Sequence, residues 1–549
     1  GMQLCLDMSD KKIFKFIKTA DIKNNADIYI EDEKIAAVSG DTVTVISDSV
    51  LEKLLKDGGI KKRVHDFKNL SRKYPDIAGV RFDTMLAAYL CNPSASSYAT
   101  DRIIAEYAPY EPEIEGETDE LIKNACLFSL ACDTLENELE KTGQKKLFDE
   151  IELPLARVLG EMELCGFSAD VNGLKALSSE LDTRIKSLES EIYSLVGYEF
   201  NLNSPKQLGT ALFEKLGLPA KKKTKSGYST GAEVLESLRN EHPAVSLLLN
   251  YRQLAKLKST YADGLQDCIA EDGRIHSTFN QTEARTGRIS SLEPNLQNIP
   301  VRTAEGRRLR EYFNAPAGRV LCDADYSQIE LRVLASMSGD ANMINAFGGG
   351  TDIHTVTASQ VFGLPQDMIT PELRSRAKAV NFGIVYGIGA FSLSKDIGVT
   401  RAEADRYIKS YLAAYPGVAA YMEKAIEDAK KNGFVTTLYG RRRYIPELSN
   451  SNGNMRAFGE RVARNAPIQG TAADIIKIAM IKVSRSLKDE FPTARLILQV
   501  HDELIVECDE KDAEDICTLL EREMENAADL AVRLTAEAHF GKTWLEAKA

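Results

Sequence analysis

The stretch "ILQVHDELIVEC", Ile497 to Cys508, decides how the chain is read. Apolar runs on either side have the character of buried strands, yet the middle holds His501, Asp502 and Glu503, two adjacent acids that a core excludes at high cost. Polar residues between two apolar runs are ordinarily the tip of a β-hairpin. The usual turn formers Gly, Pro and Asn are absent, although the spacing suits a tight turn. A plain hairpin and a turn that carries chemistry both fit, and the rest of the chain has to choose between them.

With 549 residues, 44% hydrophobic and 27% charged, the chain is too long for one core. It reads as roughly three or four globular domains. No apolar run is long enough to cross a bilayer, and the basic start "KKIFKFIKTADIK" (Lys11 to Lys23) turns to charge too soon for a secretory signal. A cytoplasmic protein without a membrane partner is expected. The nine Cys form no C-x-x-C pair, which argues against a disulfide framework or a zinc site. The net charge of -12 speaks against a nucleic-acid partner at first sight, but its distribution is uneven. "EPEIEGETDE" (Glu111 to Glu120) carries six acids in ten residues, while "RTAEGRRLR" (Arg302 to Arg310), "KKKTK" (221–225) and "YGRRRY" (Tyr439 to Tyr444) are basic. Each basic tract is either a solvated face or part of a basic groove on an acidic body.

Residues 1 to about 150 alternate short β-like runs, "ADIYI" and "TVTVIS", with helical stretches, which reads as an α/β domain. From Glu152 to about Lys258 the chain turns helical, with apolar residues at spacings of three and four in "LKALSSELDTRIKSLESEIYSLV". Ser204-Pro205 marks a helix start there. Beyond Arg274 strands and helices mix. "GRVLCDADYS" reads as a strand ending on Asp325, followed by the helix "QIELRVLASM". "PELRSRAKAVNFGIVYG" reads as a helix opened by Pro371 and closed near Gly387, and "NAPIQGTAADIIKIAMIKV" as a helix after a Pro-containing entry.

Asp325 and Asp502 are the two acids that sit where a strand should continue into a core. If their strands are neighbours the carboxylates converge, and oxygen-ligated divalent cations relieve the repulsion. In the helix after Pro371, Arg374, Lys378, Phe382 and Tyr386 follow at intervals of four, so one stripe reads cation, cation, aromatic, aromatic. Two cations hold a triphosphate while two rings carry a sugar and base; core packing is the alternative for the rings.

"DYSQIELR" (Asp325 to Arg332), "RSRAKAVNFGIVYG" (Arg374 to Gly387) and "QVHDE" (Gln499 to Glu503) resemble, in order, motifs A, B and C of the family A DNA polymerases. "TGRISSLEPNLQNIPVR" (Thr286 to Arg302) and "NAPIQGTAAD" (Asn465 to Asp474) match further blocks, so the similarity runs from about Asn201 to the C-terminus. The resemblance implies an α+β multidomain fold, a right-hand polymerase of palm, fingers and thumb with an N-terminal α/β exonuclease-like domain. The implied division is 1–150 for a vestigial 3′-5′ exonuclease-like domain, 151–275 for the thumb and start of the palm, 276–340 for the palm, 341–455 for the fingers and 456–549 for the rest of the palm. Template-directed addition of dNTPs to a primer 3′-OH, in DNA replication and repair, is the implied activity. Two Mg²⁺ ions, with Mn²⁺ as a substitute, are the implied cofactors.

Roles transfer by position. Asp325, Asp502 and the Tyr326 carbonyl would hold the metals, with Glu503 as a supporting acid. Arg374, Lys378 and His354 would hold the triphosphate, and Lys378 would give a proton to pyrophosphate. Gln328 and Phe382 would border the incoming nucleotide, Glu330 would block a ribose 2′-OH, and Tyr386 would stack at the template position. Arg288 and Gln469 would read the acceptors that every correct pair presents in the minor groove. Arg461 and Asn465 would lie beside the template, His501 at the primer terminus, and Arg252, Lys256 and Arg302 on phosphates. Ala284 and Arg285 depart from the Thr-Ala that relatives commonly carry, which leaves local primer contacts open.

In the N-terminal domain Glu31 and Glu33 fall where the first acid pair of the exonuclease module belongs, and Asp66 matches the third. Ala131 stands where the last Asp is needed, so an inactive module is expected, and no 5′ nuclease domain is read ahead of it. A single-subunit RNA polymerase shares parts of this layout, but Glu330 and the Arg288 block speak against it. A DNA-binding scaffold with a dead palm would lack one of the two key Asp residues. The whole is expected to be a monomer that binds primer-template DNA and dNTPs in a bacterial cytoplasm, associated with the nucleoid.

Overall fold

The computed structural model describes residues 11–18, 22–220, 223–224, 227–300, 303–349 and 352–548. Arg302 and the side chains of the 221–225 lysine tract lie outside the described residues. The chain divides into two compact units. One is formed by the chain up to Cys165, Phe279–Leu292 and Cys322–His539; the other by Gly166–Thr278, Glu293–Leu321 and the chain from Phe540. Among the described residues no helix is long and apolar enough to cross a membrane.

The first unit opens with a seven-stranded sheet of β1 (Ile13–Phe16), β2 (Asn25–Glu31), β3 (Lys34–Ser39), β4 (Thr42–Ile46), β5 (Lys61–Val64), β6 (Val80–Asp83) and β7 (Glu113–Glu115), in the order β6-β5-β2-β3-β4-β1-β7. β2, β3 and β4 form an antiparallel meander, and β5 and β6 extend it in parallel from β2. The Glu120–Lys141 helix buries Leu121, Ala125, Phe128, Cys132, Leu135 and Leu139, a three-and-four spacing that turns one stripe to the core. Asp119 caps it by accepting from the Ile122 N–H at 2.9 Å.

A second sheet, most of it from this unit, has the order Arg495–Val500, Glu503–Asp509, Arg319–Tyr326, Ala536–Gly541. Behind it runs a 38-residue helix, Gly453–Glu490. The expected helix after a Pro-containing entry is corrected here, because Pro467 sits inside the helix rather than before it. A mid-helix proline costs about 3 kcal/mol through a lost hydrogen bond and a clash. Packing on all sides outweighs that cost, since every residue from Ala466 to Lys477 except Gln469 is buried.

The second unit is largely helical. Along Val171–Val196 the residues Leu174, Leu177, Leu181, Ile185, Leu188, Ile192 and Val196 are buried, as the spacing predicts. Ser204 caps the short Pro205–Gly209 helix at the expected start. Trp544 is fully buried, 5.8 Å from the Phe167 ring and 5.7 Å from Phe313, with the Arg310 guanidinium 4.2 Å from its ring centre.

Deep in the first unit four charged side chains meet, buried from the surface. Arg441, expected as part of a solvated or groove-lining tract, is only 4% exposed; Glu152, Asp474 and Lys477 are fully buried. Arg441 donates to Asp474 Oδ1 through Nε at 2.8 Å and Nη2 at 2.7 Å, and its Nη2 also bonds Glu152. Lys477 Nζ reaches Glu152 Oε1 at 2.7 Å, Gln281 donates to the other Glu152 oxygen at 2.8 Å, and the Thr437 hydroxyl donates to Asp474 at 2.8 Å. Burial works to raise the Glu152 carboxyl, but Lys477 and Arg441 outweigh it and hold it at about 2, against an ordinary 4.5. A folded value below the unfolded one means stabilisation that is complete above about pH 4.5 and lost as pH falls toward 2. Glu152→Gln is therefore expected to lose roughly 3 kcal/mol or more of unfolding free energy at neutral pH. It should also flatten the loss of stability between pH 4.5 and pH 2. Urea midpoints measured at neutral pH and near pH 3 check both, and equal midpoints for variant and wild type would contradict them.

Candidate functional site

In strand Arg319–Tyr326 the residues Val320 to Ala324 are buried, the acid Asp323 among them. Asp325 is half-buried at its end; Tyr326, pointing the other way, is buried and donates its hydroxyl to the Met524 carbonyl at 2.6 Å. Strands Arg495–Val500 and Glu503–Asp509 pair with Val500 opposite Glu503, so His501 and Asp502 alone form the turn. His501 takes the left-handed conformation (φ 53°) that glycine or asparagine would usually supply, and Gln499 donates to its carbonyl at 2.6 Å. The Tyr326 N–H donates to the Asp502 carbonyl at 3.1 Å, which ties the end of one strand to the turn of its neighbour. The backbone next to Asp325 is thus joined to the turn that carries Asp502, where two neighbouring central strands end. Glu503 is not lifted out with them; it is 4% exposed, as the first residue of the following strand.

Among the described residues no three His, Cys, Asp or Glu side chains group to hold a metal. Two carboxylates and a main-chain carbonyl are a hard oxygen set of the size that Mg²⁺ takes from protein when water and phosphate oxygens complete its shell. The donor set fits that ion and excludes a closed all-protein cage.

The Pro371–Val385 helix has the expected limits, with Thr370 as its cap and Gly387 in the left-handed region just beyond it. Arg374, Lys378 and Tyr386 on its stripe are exposed and Phe382 half-buried, so the stripe is an open face rather than core. A cavity of about 580 Å³ lies against it, lined by Phe382, Gly383, Tyr386, Ile388, Phe391 and Arg461 among others. The Lys378 ammonium lies 5.9 Å from the Phe382 ring centre. Arg374 is engaged within the protein, donating through Nε and Nη2 to Asp352 at 2.9 and 3.0 Å. Burial pushes the Asp352 carboxyl up, yet Arg374 and Thr355 hold it at about 2. His354 is 2% exposed, with Asn381 Nδ2 at 3.0 Å from its Nδ1. Burial lowers its imidazole to about 4, so it is neutral at pH 7. Neither Asp352 nor Asn381 was visible as a site residue in the sequence; the only signal was an acid two positions ahead of His354.

Gln328 precedes the Ile329–Ser338 helix in a left-handed conformation, φ 56°. Glu330, in the first turn, is 6% exposed and accepts from Arg288 Nη2 at 2.7 Å. Burial raises the Glu330 carboxyl, against the Arg288 charge and the neighbouring Tyr386 hydroxyl. Residues from three of the quoted blocks meet at this point.

Arg461, Asn465 and Gln469, at intervals of four on the Gly453–Glu490 helix, share one face, Arg461 exposed and the other two half-buried. In the second unit Arg252 is half-buried and donates to the Thr230 carbonyl at 2.5 Å, while Lys256 is exposed. Arg302 lies outside the described residues.

In the N-terminal sheet Glu31 is half-buried at the end of β2, Glu33 is exposed in the β2–β3 turn, and Asp66 caps the Phe67–Lys73 helix, bonding Asn69. Ala131 is buried mid-helix. An unforeseen ion pair sits nearby: Arg63 bonds both Asp27 oxygens at 2.5 and 2.6 Å and Asp133 at 2.5 Å.

Comparison with known proteins adds to this geometry. Residues 20–117 match the model for the ribonuclease H-like domain of DNA polymerase I, and residues 171–546 match that for DNA polymerase family A. The chain is 44% identical over 527 residues to DNA polymerase I of Geobacillus stearothermophilus and 45% identical over 526 residues to that of Bacillus subtilis, in each case over 92% of this chain. It spans 60% of the length of those two relatives. It also superposes with a TM-score of 0.88 and 40% identity, over 95% of this chain and 96% of the other, on the POL domain of Pol1 from M. smegmatis, solved in complex with DNA primer-template and dNTP. A family model that matches more than half the sequence makes the assignment: the chain belongs to DNA polymerase family A.

Proposed function

We propose that the chain catalyses template-directed DNA synthesis, in which a primer 3′-OH attacks the α-phosphate of a dNTP and pyrophosphate leaves. The observation that supports this reading is the bond from the Tyr326 N–H to the Asp502 carbonyl, which joins the backbone beside Asp325 to the turn that carries Asp502. Asp325, Asp502 and the Tyr326 carbonyl would hold two Mg²⁺ ions, or Mn²⁺ in their place, with Glu503 supporting them from the strand behind. When bound, the ions lower the pKa of the attacking hydroxyl and neutralise charge on the leaving group.

Arg374, Lys378 and His354 hold the triphosphate, and Lys378 passes a proton to the departing pyrophosphate. A neutral His354 serves as a hydrogen-bond donor rather than a third cation. Phe382 and Gln328 border the sugar and base, and Tyr386 stacks at the template position. Glu330, buried and held by Arg288, stands where a 2′-OH would need room, which favours dNTPs. Arg288 and Gln469 read the minor groove of the new pair, Arg461 and Asn465 the template, and His501 the primer terminus. Arg252, Lys256 and Arg302 supply salt-dependent phosphate contacts. The division into 1–150, 151–275, 276–340, 341–455 and 456–549 is kept as one of roles, in a monomer acting at the bacterial nucleoid.

The N-terminal module is read as inactive in proofreading. The buried Ala131 in place of a ligand, the turn position of Glu33 and the capping role of Asp66 support that reading. Metal-dependent loss of single-stranded DNA that disappears in Asp66→Ala would overturn it.

Extension of a labelled primer with dNTPs and Mg²⁺ is expected for the wild type and should fall on the order of a thousandfold in Asp502→Ala. Equal extension by both would remove the site. Glu330→Ala is expected to raise ribonucleotide insertion relative to dNTP by roughly a hundredfold. An unchanged ratio, measured with single-nucleotide additions, would end the steric-gate role.

A further inference from the structure

Two glycines bring the polymerase segments of the first unit into direct contact. A Cβ on Gly287 (φ 86°) would lie 2.5 Å from Arg441 Nε, so the Arg441 guanidinium packs directly against the turn that presents Arg288. A Cβ on Gly470 would lie 2.6 Å from Thr437 Cγ2 and 3.2 Å from the Thr286 carbonyl, so the helix turn carrying Gln469 is pressed onto the same two segments. The positions of Arg288 and Gln469 therefore depend on one three-way junction of 284–288, 437–442 and 469–477.

Each arm of that junction is held by a buried polar side chain from the N-terminal part of the chain. Tyr89, 1% exposed, donates its hydroxyl to the Ala284 carbonyl at 2.6 Å. Gln144, fully buried, accepts the Arg442 N–H at 3.1 Å while its amide donates to the Leu90 carbonyl at 3.0 Å. Glu152 bonds Arg441 and Lys477. Arg285, where relatives commonly differ, is exposed beside the first of these contacts.

We propose that the N-terminal lobe, reaching to Glu152, is a brace for the duplex-reading residues: Tyr89, Gln144 and Glu152 are positioning residues that act on base-pair discrimination through Arg288 and Gln469. The lobe then serves the polymerase site whatever the state of its own acids. The discrimination readout rests on the reading under Proposed function; the geometry of the brace does not.

Tyr89→Phe removes one hydroxyl and keeps the ring. It is expected to lower the ratio of correct to mispaired insertion by about tenfold, the scale of coupling between packed neighbours. If Tyr89 acts through Arg288, Tyr89→Phe combined with Arg288→Ala should discriminate no worse than Arg288→Ala alone. Additive losses, or a fall in overall rate and melting temperature with an unchanged ratio, would overturn the proposal. Amide hydrogen exchange is read on the same proteins and should quicken at 284–288 in Tyr89→Phe and at 469–477 in Glu152→Gln. Unchanged exchange at 284–288 in Tyr89→Phe would overturn the brace, even if Glu152→Gln fails to fold. A wild type that cannot extend a primer counts against the proposed function alone, and the exchange data then decide the brace.

Discussion

The buried pairing of Glu152 and Asp474 with Arg441 and Lys477 is the constraint on which the first unit depends. Two negative and two positive side chains, all but shut off from water, neutralise one another in surroundings where a single unpaired charge would be very costly. Such a set tolerates little displacement, because its attraction has to offset the desolvation of four ions at once. It therefore fixes geometry as much as it adds stability. The segments it joins are far apart in sequence, Glu152 being 289 positions from Arg441 and 325 from Lys477. The Gly453–Glu490 helix, the 437–442 segment and the chain at Glu152 are pinned at one place, where the close glycine contacts also lie.

In the same unit the sheet carries Asp325 and Asp502 where its central strands end. The Arg319–Tyr326 strand does bury one acid within its run, Asp323 at 2% exposed, whereas Asp325 comes where burial ends and Asp502 where the chain turns. Both acids adjoin non-glycine residues in the left-handed region, His501 beside Asp502 and Gln328 three positions after Asp325. Backbone of this kind persists only where surrounding structure over-determines it, and it is commonest at functional sites.

Much of this was legible in the sequence because it is local. The hairpin, the strand that carries Asp325, the leucine stripe of Val171–Val196 and the spacing of Arg374 to Tyr386 along one helix all follow from hydrophobic pattern and periodicity, although the openness of that last stripe does not. What was not legible is long-range. Glu152 has no motif around it, and nothing near it announces that its partners lie hundreds of residues away. Arg441 looked like a member of a solvated or groove-lining basic run, and only the fold shows that the middle of "YGRRRY" turns inward. Pro467 argued for a helix start by its local chemistry, and tertiary packing overrode it. Glu503 read as part of the turn, but a two-residue loop leaves it in the strand.

The bidentate contact between Arg374 and Asp352 changes how recognition at the Pro371–Val385 helix has to be counted. The guanidinium is already satisfied by a carboxylate of the same chain, so any anion that comes to it performs an exchange. Its gain is the difference between two ion pairs, not the whole of one. A ligand with a single weak charge has little to offer in that exchange, whereas one with several adjacent anionic oxygens can displace the carboxylate and keep other contacts. The internal acid thus sets a threshold, and for the proposed triphosphate role of Arg374 that threshold favours multiply charged ligands over simple anions.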